Sequence, residues 1–121
     1  MSPQAYDGFC ASLPAAHRVV QWGDAVVWKV AGKVFAIGRV QEGGEMAASF
    51  KCSPMAFDIL AVQPGLRPAP YLASRGMSWI QRTGDEAMDD EALKDYLAES
   101  HRLVAAKLPR RVKLEIGIGD T

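Results

Sequence analysis

The groups in this chain most suggestive of chemistry are basic side chains that stand near aromatic ones. Arg67, Arg75 and Arg82 flank a proline-rich stretch and a short apolar run that together contain Tyr71 and Trp79. Cations that reach phosphates, interleaved with rings that stack on bases, are what a phosphate-and-base groove needs. A loop packing its own side chains has the same composition, so the pattern alone has low specificity. Lys29 and Lys33 bracket a glycine turn at Gly32, and Trp28 and Phe35 stand close to it. Strict alternation along two strands joined there puts Trp28 and Val30 on one sheet face with Phe35 and Ile37. That face is either a stacking platform, with Lys33 and Arg39 reaching phosphates, or the core side beneath a helix. Lys29 then points the other way, with Val27 and Val34. Lys51 alternates with Phe50 and Cys52 and is an anion contact or an ordinary surface lysine.

Catalytic and metal-binding patterns are missing from the sequence. His17 and His101 are far apart, and no His-x-x-x-His or His-Glu-x-x-His occurs. Ser100 and His101 are neighbours on a helical stretch, which turns their side chains about 100° apart, so they form no obvious nucleophile–base pair. Ser100 falls on the apolar stripe of that helix and is expected to bond a backbone carbonyl or a polar neighbour. Cys10 and Cys52 belong to no Cys-x-x-Cys pair and are expected to be free thiols; Cys10 lies on an apolar helical stripe with Tyr6, Phe9 and Leu13. The chain is therefore expected to be non-enzymatic, with no cofactor and no metal.

The elements that must hold these residues can be read from capping and periodicity. Ser2-Pro3 and Ser53-Pro54 are cap-then-proline starts, predicting helices over about 3–13 and 54–61. Between them, runs rich in Val, Phe and Trp at 18–22, 25–30, 34–40 and 46–51 alternate with short turns and predict an antiparallel meander. Residues 63–70 contain three prolines and a glycine and are expected to be an irregular ordered loop. A further strand is expected over 77–82. Asp89 is a good N-cap for a last helix in which Leu93, Tyr96, Leu97, Ser100, Val104 and Leu108 recur until Pro109. Residues 110–116 alternate and suit either an edge strand or, over 113–121, a frayed tail. The order helix, four strands, helix, strand, helix gives a two-layer α+β fold.

Composition limits the partners. With 121 residues, 49% hydrophobic, the chain has enough apolar material for one core and not two, so a single domain over 1–121 is expected. Lys plus Arg and Asp plus Glu balance at 14 each, which removes any global positive field of the kind that drives non-specific nucleic-acid or membrane binding. The charge is nonetheless polarised: acids gather at 85–99, whereas Lys107, Arg110, Arg111 and Lys113 follow the last helix. That arrangement complements a helix dipole, or orients the molecule on a phosphate surface. No run of 18 apolar residues and no secretion signal appear, so the expected location is cytoplasmic, without a membrane partner.

Five landmarks follow one another in a recognisable order: Trp22-Gly23, the run Trp28 to Ala36, Phe50-Lys51-Cys52-Ser53-Pro54, Pro70-Tyr71-Leu72 with Trp79, and Ser100-His101-Arg102-Leu103-Val104. Together they resemble the MmcQ/YjbR family. The resemblance implies a YjbR-like fold of the CyaY/secretion-chaperone-like α+β group and DNA binding through a double-wing motif. It brings no catalytic residue or cofactor. Joined to the residue-level reading, it gives a non-enzymatic DNA-binding module whose candidate contacts are Lys29, Lys33, Lys51, Arg67, Arg75, Trp79 and Arg82. The alternative is a protein-interaction or chaperone-like module acting as a homodimer.

Overall fold

The computed structural model describes residues 1–118. The three capping expectations hold, each through a side-chain oxygen on a free backbone N–H. Ser2 accepts from Ala5 N and opens α1 (Pro3–Ala11). Ser53 accepts from Ala56 N and opens α2 (Pro54–Leu60). Asp89 accepts from Ala92 N and opens α3 (Asp90–Ala106).

Between α1 and α2 runs the meander, with β1 (Ala16–Gln21), β2 (Ala25–Val30), β3 (Lys33–Val40) and β4 (Met46–Lys51). The β2–β3 turn is Ala31-Gly32, both at positive φ, the conformation a two-residue hairpin loop needs to match strand twist. After α2 come β5 (Leu66–Pro68) and β6 (Trp79–Arg82). The sheet order is β1-β2-β3-β4-β6-β5, and every neighbouring pair is antiparallel.

Two expectations about irregular segments are corrected. Residues 63–70 are not wholly irregular, because Leu66, Arg67 and Pro68 pair with Arg82, Gln81 and Ile80. A proline is excluded from the middle of a sheet but tolerated in an edge strand, where its missing N–H would have faced away from the ladder. Residues 110–118 form neither an edge strand nor a frayed end, and 119–121, the rest of the expected tail, lie outside the described residues. They make α4 (Arg110–Glu115), and Val112, Ile116 and Ile118 pack against the core. The Val112-to-Ile116 spacing of four is a helical repeat that outweighs the two-residue alternation.

Only one sheet face is roofed by helices. α3 lies chiefly over β3 and β4, with α1 beside it. Tyr6 and Cys10 from α1 and Leu93, Leu97 and Val104 from α3 meet Trp28, Val30, Phe35, Phe50 and Ile80. Each such apolar side chain contributes about 1.5–3 kcal/mol on burial. Tyr6 also donates its hydroxyl to Val26 O at 2.9 Å, and its ring passes so close to β3 that a Cβ at Gly38 would lie 2.8 Å from it.

Within this layer β3 breaks its alternation. Trp28 pairs with Ala36 while Lys29 pairs with Val34, so Phe35 is the extra residue of a β-bulge. The expectation that Trp28, Val30, Phe35 and Ile37 share a face is corrected accordingly. Phe35 stays under α3, edge-on to His101 at 5.0 Å, and Ile37 passes to the opposite face, paired with Val27 and Ser49. Trp28 and Phe35 are buried, and the Trp28 indole donates to Asp7 Oδ1 at 3.0 Å, so this pair is core rather than a stacking platform.

The β3–β4 ladder pairs Ala36 with Phe50, and the next rung would join Phe35 to Lys51. The Ser100 hydroxyl occupies that position instead. It accepts from Lys51 N at 2.8 Å and donates to Phe35 O at 2.7 Å. This is the backbone bonding expected of Ser100, and it ties α3 to two strands at once. Replacing Ser100 with Ala leaves both backbone groups without a partner, which costs about 1–3 kcal/mol for each buried group. Urea denaturation is expected to show Ser100→Ala destabilised by about 2 kcal/mol or more; a change below about 0.5 kcal/mol would mean that the strands close the rung themselves.

Candidate functional site

Among the described residues no helix crosses the middle of the second sheet face. Pairing places Lys29, Val34, Ile37, Ser49, Lys51, Trp79, Gln81 and Arg67 on it. Its cover comes from the edges. Trp22, in the turn after β1, stands on one side, and the segment from Ala69 to Met77, which includes a single 3₁₀ turn at Ala73–Arg75, stands on the other. At one end α3 contributes Val104, and the residues after it contribute Lys107, Leu108 and Pro109. The result is a groove in two halves of about 520 and 650 Å³ that share Trp22, Ile37 and Leu72.

Both rims are exposed aromatic residues with left-handed backbones: Trp22 at φ 54° and 56% exposed, Tyr71 at φ 73° and 70% exposed. For a bulky side chain such a conformation is strained and persists only where the surroundings impose it. Here the surroundings are arginines. Arg39 donates to Trp22 O at 3.0 Å while pairing with Asp24 at 3.4 Å. Arg75 lies 5.5 Å from the centre of the Tyr71 ring and donates to its hydroxyl at 3.0 Å. Ser74 adds a hydrogen bond to Tyr71 O.

Charge in the groove is of one sign. Lys33, Lys51 and Lys107 line the half beside α3, Arg39 and Arg67 line the half beside β5, and among the described residues no carboxylate lines either. Arg67 donates to Gln81 Oε1 at 2.7 Å, which aligns its guanidinium along the groove floor. Burial first, and then the neighbouring Lys107 ammonium, hold the Lys51 amine below the usual lysine range. Trp79 lines the same half and is buried.

The candidate residues thus separate. The groove unites Lys33, Lys51, Arg67 and Trp79, and Arg75 supports its rim. Lys29 shares the face but donates to Gln21 Oε1 at 3.3 Å and lines neither half. Arg82 is a correction. It lies on the helix side, 2% exposed, where it donates to Met88 O at 3.0 Å and pairs with Asp90 at 2.9 Å. Its pairing with Ala48 and Leu66 fixes that orientation, so it is a structural cation with no access to the groove. Of the lining residues outside the sequence-based set, three matter most to the shape and charge of the groove. Lys107 reads as a complement to the helix dipole or as part of a phosphate-facing basic end, Trp22 as part of a turn, and Ile37 as a member of the Trp28 face until the bulge is known. The one available sign was an aromatic residue beside a turn glycine at Trp22-Gly23.

Other reactive groups are occupied elsewhere. His101 Nε2 donates to Pro14 O at 2.7 Å, apart from the Ser100 hydroxyl bonds. Among the described residues no cluster of three metal-ligating side chains occurs, and no helix is long and apolar enough to cross a membrane. Both cysteines are buried and free. Burial, and then Asp7, push the Cys10 thiol up to about 12, and burial pushes Cys52 up to about 11. Since the thiolate is the reactive form, a disulfide reagent at pH 8 is expected to label neither cysteine in the folded protein and both in urea. Rapid labelling of the native protein would contradict the burial of both thiols.

Comparisons bear on the fold and its lineage. The family model described as YjbR matches residues 11–103. A crystal structure of the Deinococcus radiodurans protein DR2400, with a DUF419 domain, superposes with a TM-score of 0.84 at 22% identity, covering 99% of this chain and 91% of that one. A crystal structure of a Pseudomonas syringae protein superposes at 0.67 with 16% identity, covering 86% of this chain and 99% of that one. Both likenesses concern the fold. No curated protein matches the chain.

Proposed function

The chain belongs to the YjbR family, and from that premise we propose that it is a cytoplasmic, non-enzymatic DNA-binding protein that holds a strand in the groove on its open sheet face. One observation carries this reading: a groove with no carboxylate among the described residues, lined by Lys33, Lys51, Lys107 and Arg67, is rimmed by two exposed aromatics, Trp22 and Tyr71, in strained and clamped conformations. Phosphates are drawn to the cations, and bases have flat faces on which to stack at the rims. Of the candidate contacts, Lys33, Lys51 and Arg67 touch the strand, Arg75 holds Tyr71 in place, Trp79 is part of the floor, and Lys29 adds charge at the margin. The groove favours a single strand over a duplex, because its aromatic rims reach base faces that a duplex hides.

A second reading, a protein-interaction module acting as a homodimer, is supported by a separate feature. Met55, Ile59 and Val62 leave an exposed apolar stripe on and just after α2. If two copies pair there, the mass in solution rises with concentration and Ile59→Arg returns it to the monomer value; a monomer at every concentration rejects this reading.

The strand reading is tested by fluorescence anisotropy with a labelled single strand and the matching duplex at several salt concentrations. Three or four phosphate contacts give a log–log salt slope of roughly −2 to −3 for a single strand. Trp22→Ala and Tyr71→Ala are each expected to weaken binding by about 1–3 kcal/mol, the loss of one stacked base. Binding that ignores salt, or that survives both aromatic changes, would overturn the proposal.

A further inference from the structure

The half of the groove beside α3 is built differently from the half beside β5. Its floor and walls are mainly apolar, from Val34, Ile37, Leu72, Met77 and Leu108, and its polar groups are three lysines. None of Lys33, Lys51 and Lys107 has an ion-pair partner among the described residues, although five other side-chain cations do. Lys51 and Lys107 line the same half, and after burial the Lys107 charge is a further reason why the Lys51 amine is held below its usual range. Two ammonium groups brought together repel unless something negative lies between them.

Trp79 adds an independent observation. It is 4% exposed, it lines this half, and its indole N–H has no hydrogen-bond partner among the described residues. A buried indole N–H ordinarily finds one. The cavity therefore offers donors and positive charge with no carboxylate among the described residues to satisfy them, in a volume of about 520 Å³ that suits a small molecule.

We propose that this end of the groove is a seat for a phosphomonoester borne on an aromatic or aliphatic body, its phosphate bridging Lys51 and Lys107 and its body resting among Leu72, Met77 and Leu108. A phosphomonoester is close to a dianion at neutral pH, since its second pKa is about 6, and it matches two adjacent ammonium groups better than a carboxylate does. Its oxygens also supply acceptors for Lys33 and for the unpartnered indole. The seat goes beyond the strand reading, because a strand offers monoanionic diesters along its length, whereas this site calls for a terminal or free monoester.

Phenyl phosphate, inorganic phosphate and benzoate are the probes, titrated into the full chain by calorimetry, with the indole N–H resonances followed by NMR and Trp79 assigned through Trp79→Phe. Phenyl phosphate is expected to bind at least tenfold more tightly than either inorganic phosphate or benzoate and to shift the Trp79 indole resonance. Lys51→Met, at a half-buried position, and Lys107→Met, at an exposed one, should each weaken it at least tenfold, while Lys94→Met, outside the groove, leaves it unchanged. The seat is overturned by no detectable phenyl phosphate binding at millimolar concentration, by unchanged affinity in the Lys51→Met, Lys107→Met double variant, or by benzoate binding equally well. Strand binding without phenyl phosphate binding would sink the seat alone. Phenyl phosphate binding without strand binding would support the seat and count only against the strand reading.

Discussion

The hydroxyl of Ser100 substitutes for one rung of the β3–β4 ladder, and much of the molecule is arranged around that substitution. Residues 35 and 51 would be the next partners in a register that runs unbroken from Val40 opposite Met46 to Ala36 opposite Phe50. With the serine between them, each backbone group keeps a hydrogen bond while the two strands part. β3 is then free to bulge at Phe35, and β4 to continue its pairing with β6 through Lys51 and Trp79. A side chain from the helical layer thus determines how two residues of the opposite face are presented. Because the groups concerned are buried backbone groups, the constraint is strong for its size.

The two faces of the sheet solve different problems. Under α1 and α3 the requirement is dense packing, met by Tyr6 against Gly38, by Phe50 stacked on Tyr96 at 5.2 Å, and by Arg82 neutralised against Asp90. On the other face, partial cover from Trp22 and the segment around Tyr71 leaves apolar floor within reach of solvent and cations at its margin. Overall neutrality conceals this segregation. Acidic groups crowd the start of α3, and the lysine that follows the same helix turns into the groove. A protein with zero net charge can in this way present a locally positive cleft without strong non-specific attraction.

What the sequence disclosed followed from local chemistry. Ser2-Pro3, Ser53-Pro54 and Asp89 act within one helical turn, and Ala31-Gly32 acts within one hairpin, so their consequences could be read directly. Arrangements that depend on non-local pairing could not. Pro68 reads as a breaker until an edge position is available to tolerate it, and Val112 with Ile116 reads as alternation until a core is present for them to touch. The bulge at Phe35 inverts the facing of Ile37 by inserting one residue, which no periodicity argument detects. In the candidate site, Lys33, Lys51, Arg67 and Trp79 come together because their strands do, whereas Arg82, equally basic and only three residues from Trp79, is carried by the strand's own alternation to the other side. Lys107 was legible as a complement to a helix dipole or as part of a phosphate-facing basic end, but not as a neighbour of Lys51 in one groove, which requires the whole of α3 to be laid across the sheet.

The left-handed backbones at Trp22 and Tyr71 have an evolutionary consequence. Glycine, or asparagine at smaller gain, would relax either position, since a residue bearing a Cβ in that conformation costs about 1–2 kcal/mol that glycine avoids. Both rings are largely in water, so little burial is gained in return. A lineage drifting under selection for thermal robustness alone should lose them, and laboratory screens for heat tolerance should find those replacements early. An indole and a phenol at these two solvent-facing corners are therefore a cost to folding that burial does not repay and that the bonds from Arg39 to Trp22 O and from Arg75 to the Tyr71 hydroxyl offset only in part.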